Sequence, residues 1–249
     1  MDRTILITGA LGGIGTALAN RFASAGDTLI LSDLAEAPDL SAWPGAHYLP
    51  ADLLKPGSGH ELLSRSLRLG GSVDVLINNA GLQKVSPLHE FPDADWDRIV
   101  DLNLRAAFET TRAALPGMIA RGSGRIIYIA SAHALVASPY KAAYVAAKHG
   151  LLGLTRTAAL EVAEAGITVN AICPGYVRTP LVEAQIADQM RVHGLPREAV
   201  IRDIILASQP TRRFVEPEEV AELAYYVAGD LARSITGAAL SIDGGWTAR

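Results

Sequence analysis

Apolar and polar residues along this chain follow two alternating periods. Short, almost wholly apolar runs give way to longer stretches in which apolar side chains return every three or four positions. The runs Thr4–Thr8, Thr28–Ser32, Ala46–Leu49, Val73–Ile77, Gly124–Ala130, Thr168–Ile172 and Ala238–Ile242 predict strands. Between the first two, Ile14, Leu18 and Phe22 mark one face of a helix that Gly26 closes. Further helical patterns lie around Trp96–Met118, around Tyr144 and Lys148, and around Val220–Val227. Strands alternating with helices imply right-handed crossovers and therefore an α/β fold. The expectation is a doubly wound parallel sheet of the Rossmann type, one domain over residues 1–249. Residues 180–214 interrupt the alternation with a charge-rich insertion of helical character. That pattern fits a lid over a cleft, or a static pair of surface helices.

Composition narrows the setting. The 249 residues suffice for a large core, and a net charge of −4 with no cluster of Lys and Arg offers no surface for nucleic acid. No apolar run reaches the ~18 residues of a membrane span, and the first strand begins too early for a signal peptide. A cytoplasmic setting is expected. Cys173 is the only cysteine, which excludes an intramolecular disulfide and a cysteine-based metal cluster. No metal is expected, and buried packing suits Cys173 better than catalysis.

Candidate chemistry sits at the strand ends, where doubly wound sheets bind their ligands. The first strand runs into Thr8-Gly9-Ala10-Leu11-Gly12-Gly13-Ile14-Gly15. Glycines there let backbone approach a pyrophosphate, and the following helix start offers free N–H groups. The spacing puts the weight on Gly9, Gly13 and Gly15, with a plain flexible loop as the alternative. The second strand ends at Asp33, whose carboxylate suits the adenine-ribose hydroxyls and repels a 2′-phosphate. No Arg or Lys follows it, so NAD is the expected cofactor. Tyr144 and Lys148 lie one helical turn apart, which would set the ammonium beside the phenol and draw its pKa down from about 10. Ser131, at the end of the fifth strand, suits a hydrogen bond to a reacting oxygen or to backbone.

These residues, together with Asn78-Asn79-Ala80-Gly81, Asn103 and Pro174-Gly175, resemble the short-chain dehydrogenase/reductase family over essentially the whole chain. The resemblance implies an oxidoreductase in which Tyr144 is the acid and base and Ser131 orients the oxygen. Lys148 would hold the nicotinamide ribose, and Asn103 would anchor a water on the proton path. Cofactor contacts are implied for Gly9, Gly13, Ile14, Gly15, Asp33, Asp52, Leu53, Asn79, Gly81, Tyr144, Lys148, Pro174, Val177 and Thr179. A homotetramer is implied as well, built on the long helices around Trp96–Met118 and Ser138–Ala163. Residues 142–160 are apolar almost all round, which allows it. Burial within a monomer would also satisfy that pattern.

Substrate identity rests on fewer residues. Ser138-Pro139 reads as an N-cap followed by a first-position proline, placing Lys141 in the first helical turn. An anion there would satisfy both the lysine and the free N–H groups, although a lysine extended into solvent fits the same spacing. His133 is another possible donor, or a structural histidine. Residues 141–185 and the ending Asp243-Gly244-Gly245-Trp246 look like the branch of the family that acts on D-3-hydroxybutyrate. That likeness implies that Gln83, His133, Lys141 and Gln185 grip a carboxylate, so a small anionic 3-hydroxy or 3-oxo acid is expected. Tyr176 and Trp246 are candidate apolar walls for its methyl end, or ordinary packing. The alternatives are a short-chain reductase acting on another 3-oxo acid, on a neutral alcohol or, with NADP, on a 3-oxoacyl thioester, and a non-catalytic NAD-binding scaffold. The intact Asn103, Ser131, Tyr144 and Lys148 speak against the scaffold.

Overall fold

The computed structural model describes residues 3–248, apart from the side chains of Asp188 and Val192, so both ends of the expected 1–249 domain lie outside it. The strands are β1 Thr4–Thr8, β2 Thr28–Ser32, β3 His47–Tyr48, β4 Val75–Asn78, β5 Gly124–Ile129, β6 Ile167–Pro174 and β7 Ala239–Ile242. They form one seven-stranded sheet in the order β3-β2-β1-β4-β5-β6-β7, parallel throughout. The helices are α1 Gly13–Ser24, α2 Ser58–Gly70, α3 Asp93–Val100, α4 Ala106–Arg121, α5 Ala142–Val162, α6 Pro180–His193, α7 Arg197–Val200 and α8 Pro217–Val227.

Helical crossovers cover both faces of a parallel sheet, which is why its central strands are buried at every position and largely apolar instead of apolar at alternate ones. Ile5 and Ile7 of β1 pack with Leu18 and Phe22 of α1 and with Val220 and Ala224 of α8. Between them Leu6 turns to the opposite face, which it shares with Leu62 and Leu63 of α2, Met118 of α4 and Leu151 of α5. The insertion over residues 180–214 has a small core of its own, made by Val182, Ile186, Val200, Ile205, Leu206 and Phe214. The sheet order reverses between β1 and β4, so the carboxyl ends of those strands open a crevice.

Besides α2, which the sequence pattern did not mark, and shifts of one or two residues at other strand ends, three elements differ from the sequence pattern. The run around Trp96–Met118 is not one α-helix: a π-helical turn, Asp101–Arg105, separates α3 from α4 and carries Asn103. The fourth strand starts at Val75, and the preceding Asp74 accepts the backbone N–H of Thr4 on its carboxylate. The third correction is the start of α5, at Ala142 and not after Ser138. The Ser138 hydroxyl is occupied by His133 Nε2 at 2.9 Å, and Tyr140 has φ +67°, a left-handed conformation that no helix can pass through. Lys141 therefore stands at the N-cap of α5, one residue before its first turn. Among the described residues no helix is long and apolar enough to cross a membrane, and no group of three His, Cys, Asp or Glu could hold a metal ion.

Candidate active site

A cleft of about 620 Å³ opens at the carboxyl ends of β1, β2 and β4. Gly9, Gly13, Ile14, Asp33, Asp52, Leu53, Asn79, Gly81 and Thr179 all line it. At Gly9 and Gly13 its wall is backbone because a side chain has no room. A Cβ on Gly9, which has φ +62°, would lie 2.8 Å from Ala80 Cα, and one on Gly13 would lie 2.8 Å from Thr179 Cγ2. Gly15 lines no part of the cleft: its Cβ would lie 2.1 Å from the Gly9 carbonyl oxygen, so this glycine lets α1 close onto the turn. The turn is pinned by the residue after β4, where Asn79 Nδ2 donates to the carbonyls of Thr8 at 3.1 Å and Gly9 at 2.8 Å. Asp33 accepts from Leu11 N at 2.9 Å and from Leu34 N at 2.7 Å, which fixes its carboxylate at the cleft edge. A helix start with an uncapped glycine and a carboxylate at the end of β2 fit a dinucleotide.

A second cavity, about 100 Å³, adjoins the first through Ile14, Thr179 and Leu181. It gathers Gln83, Ser131, His133, Lys141, Tyr144, Pro174, Tyr176, Val177, Gln185 and Trp246 from five separate parts of the chain. Ser131 leaves β5 and its Oγ accepts the His133 N–H at 3.1 Å. Tyr144 sits on the first turn of α5, its ring 5.9 Å from that of His133. Lys148 is buried one turn further on, with Nζ 5.4 Å from the Tyr144 ring centroid and donating to Ile129 O at 3.0 Å.

Burial overrides the expected effect of Lys148 on Tyr144. The phenol is pushed up to about 12 by desolvation, with only a partial return from its hydrogen bond with Ser131, while burial pulls the Lys148 ammonium down to about 8. Asn103 is buried and lines neither the cleft nor the 100 Å³ cavity. Its Nδ2 donates to Leu82 O at 2.8 Å and Ile99 O at 2.9 Å, and its buried Oδ1 has no protein partner. That oxygen lies 2.7 Å from where a Cβ on Gly81 would stand, so only glycine fits there. Asn103 and Lys148 share the wall of a void of about 10 Å³, roughly the space of one water.

The anion-binding set is arranged differently from its sequence reading. His133 does not present a free ring N–H to the cavity: Nε2 meets Ser138 Oγ at 2.9 Å and Nδ1 faces Ser131 Oγ at 3.4 Å. Burial, with Lys141 adding to it, pulls its pKa down to about 3, so the ring is neutral at working pH. Lys141 is buried, and Nζ donates to the Tyr176 hydroxyl at 3.1 Å. Tyr176 stacks on Trp246, with ring centroids 5.5 Å apart and planes 9° from parallel, and Trp246 meets the His133 ring edge-on at 5.0 Å. Gln83 Nε2 is buried without a protein partner. Cys173 is buried within β6 and its thiol is raised to about 11, as befits packing.

Sequence reasoning missed Ser138 as the histidine's partner, and it missed Gln209. Gln209 is fully buried, accepts the Tyr176 backbone N–H and donates to Arg213 O at 2.7 Å. A glutamine before a proline carries no local signal of such a role.

Comparison with known proteins agrees with this architecture. The family model described as enoyl-(acyl carrier protein) reductase matches residues 9–247. A D-beta-hydroxybutyrate dehydrogenase from Rhizobium meliloti (strain 1021) is 50% identical, over 100% of both chains. One from Cupriavidus necator is 42% identical, over 99% of this chain and 98% of its own. Among solved structures, a variant actinorhodin polyketide ketoreductase with NADPH superposes with a TM-score of 0.93 at 33% identity, covering 100% of this chain and 98% of its own. The chain belongs to the short-chain dehydrogenase/reductase family and is an oxidoreductase whose fold binds a nicotinamide cofactor.

Proposed function

We propose that this chain interconverts D-3-hydroxybutyrate and acetoacetate with NAD. The observation that carries the reading is the buried head group of Lys141, whose hydrogen-bond partner is a neutral phenol, in the same small cavity as Ser131 and Tyr144. A buried cation without a counter-ion is costly, and a substrate carboxylate would supply one. Tyr144 takes the hydroxyl proton in oxidation and returns it in reduction, Ser131 orients the oxygen, and Lys148 and Asn103 keep the proton path supplied. Gln83 and Gln185 complete the polar wall around the carboxylate, and Trp246 closes the cavity. When bound, the nicotinamide supplies hydride chemistry and, oxidised, a positive charge near Tyr144. Gly9, Gly13, Ile14, Asp33, Asp52, Leu53, Asn79, Gly81, Pro174, Val177 and Thr179 would hold the dinucleotide.

The same reading takes residues 1–249 as one domain, residues 180–214 as a lid that expels water, and a cytoplasmic homotetramer as the working form. Apolar side chains exposed on α4 and α5, among them Phe108, Ile119 and Leu160, support the assembly. NAD is preferred on the strength of Asp33, although the ketoreductase neighbour was solved with NADPH. A carboxylate facing a 2′-phosphate in a poorly solvated site costs more than about 1.4 kcal/mol, so efficiency with NAD should exceed that with NADP at least about tenfold. Comparable efficiencies would remove Asp33 from the ribose.

The substrate test compares the acid with its methyl ester, which keeps the carbon skeleton and loses the charge. The acid should be oxidised at least about tenfold more efficiently, since an unpaired charged site costs about 1–3 kcal/mol per group. Lys141→Ala should narrow that gap by harming the acid selectively. Equal losses on acid and ester would favour a thioester or neutral-alcohol reductase.

A further inference from the structure

We propose that the Tyr176 hydroxyl is a direct hydrogen-bond donor to the substrate carboxylate, so that this residue determines charge specificity instead of walling off the methyl end. The inference rests on the reading of the cavity as an acid site. Tyr176 Oη accepts from Lys141 Nζ at 3.1 Å, which places the hydroxyl at the charged end of the cavity that both residues line. A phenol has one proton to give, and with its lone pair engaged by an ammonium that proton is directed away from the lysine. No protein acceptor takes it among the described residues. An ammonium feeding a phenol makes the phenol a stronger donor, and both then converge on one anion.

The ring has little freedom to be elsewhere. Its backbone N–H goes to Gln209 Oε1, its carbonyl accepts from Val215 N at 2.9 Å, and its face lies on Trp246. A donor held from three sides is already oriented before an anion arrives, which is the condition under which a hydrogen bond discriminates most. His133, by contrast, is neutral and has both ring nitrogens directed at serine hydroxyls, so it leaves a donor position that Tyr176 fills.

The decisive variant is Y176F, which removes one oxygen and keeps the stack on Trp246. Oxidation of D-3-hydroxybutyrate and of its methyl ester is measured at saturating NAD, with a thermal unfolding curve taken alongside. The ratio of acid to ester efficiency should fall about five- to tenfold, chiefly through KM for the acid. An unchanged ratio, with both substrates impaired alike, would overturn the proposal and leave Tyr176 as packing. Failure of the wild type to prefer the acid would instead overturn the acid-site reading itself.

Discussion

Tyr144→Phe is expected to lower turnover by about two to four orders of magnitude while leaving the affinity for NAD within a few-fold of wild type. Groups that move a proton in the transition state contribute about that much, and phenylalanine keeps everything but the hydroxyl. The direction of the pKa shift adds a second signature. Burial holds the Tyr144 phenol near 12, so at neutral pH it is a ready acid and a scarce base. Reduction of the 3-oxo acid should therefore proceed well at neutral pH, and oxidation of the 3-hydroxy acid should climb with rising pH as the base form becomes available. The positive charges of Lys148 and of an oxidised nicotinamide would bring that climb below 12. Y144F should abolish the pH dependence that belongs to this group. Purified Y144F with activity within a few-fold of wild type would end the assignment.

The fold was legible because a parallel sheet buries both of its faces. That burial makes runs such as Ile5-Leu6-Ile7 and Leu29-Ile30-Leu31 wholly apolar, and the pattern needs no tertiary knowledge to read. The glycine turn was legible for a similar reason: at Gly9 and Gly13 a side chain has no space, and the residue type records the constraint. Elsewhere the deciding contact came from a distant part of the chain. The π-helical turn at Asn103 shifts a hydrogen bond without disturbing the apolar period, so the sequence reads straight through it. Ser138 has the composition of a helix cap, but its hydroxyl is taken by His133 from the preceding 3-10 turn. Tyr176 has the composition of an apolar wall, and only the position of Lys141 reveals that its oxygen lies at the polar end. The sign at Tyr144 was missed because local spacing specifies a neighbouring cation and says nothing about burial.

Lys148→Met should separate stability from activity at one residue. Lys148 has a lower pKa in the fold, about 8, than its ordinary 10.5, because burial disfavours the charged form. Below about pH 8 the folded protein carries a proton that the unfolded chain holds more easily, and the shift corresponds to roughly 3 kcal/mol of lost stability. The penalty shrinks as pH rises from about 8 to about 10.5 and is absent above that. Methionine matches the aliphatic stem and removes the charge, but it leaves the Ile129 carbonyl without its donor, a loss of about 1 kcal/mol. The variant should therefore be more stable than wild type by about 2 kcal/mol at pH 7, a rise of several degrees in Tm, with the advantage gone or reversed by pH 10.5. Its turnover should fall at least about a hundredfold and its KM for NAD should rise, since the group removed is assigned both to the proton path and to the nicotinamide ribose. Melting curves at pH 7 and pH 10.5 alongside steady-state kinetics decide both halves. A variant that is less stable at pH 7 would mean that the buried ammonium is compensated within the fold, and one that keeps its activity would remove Lys148 from the chemistry.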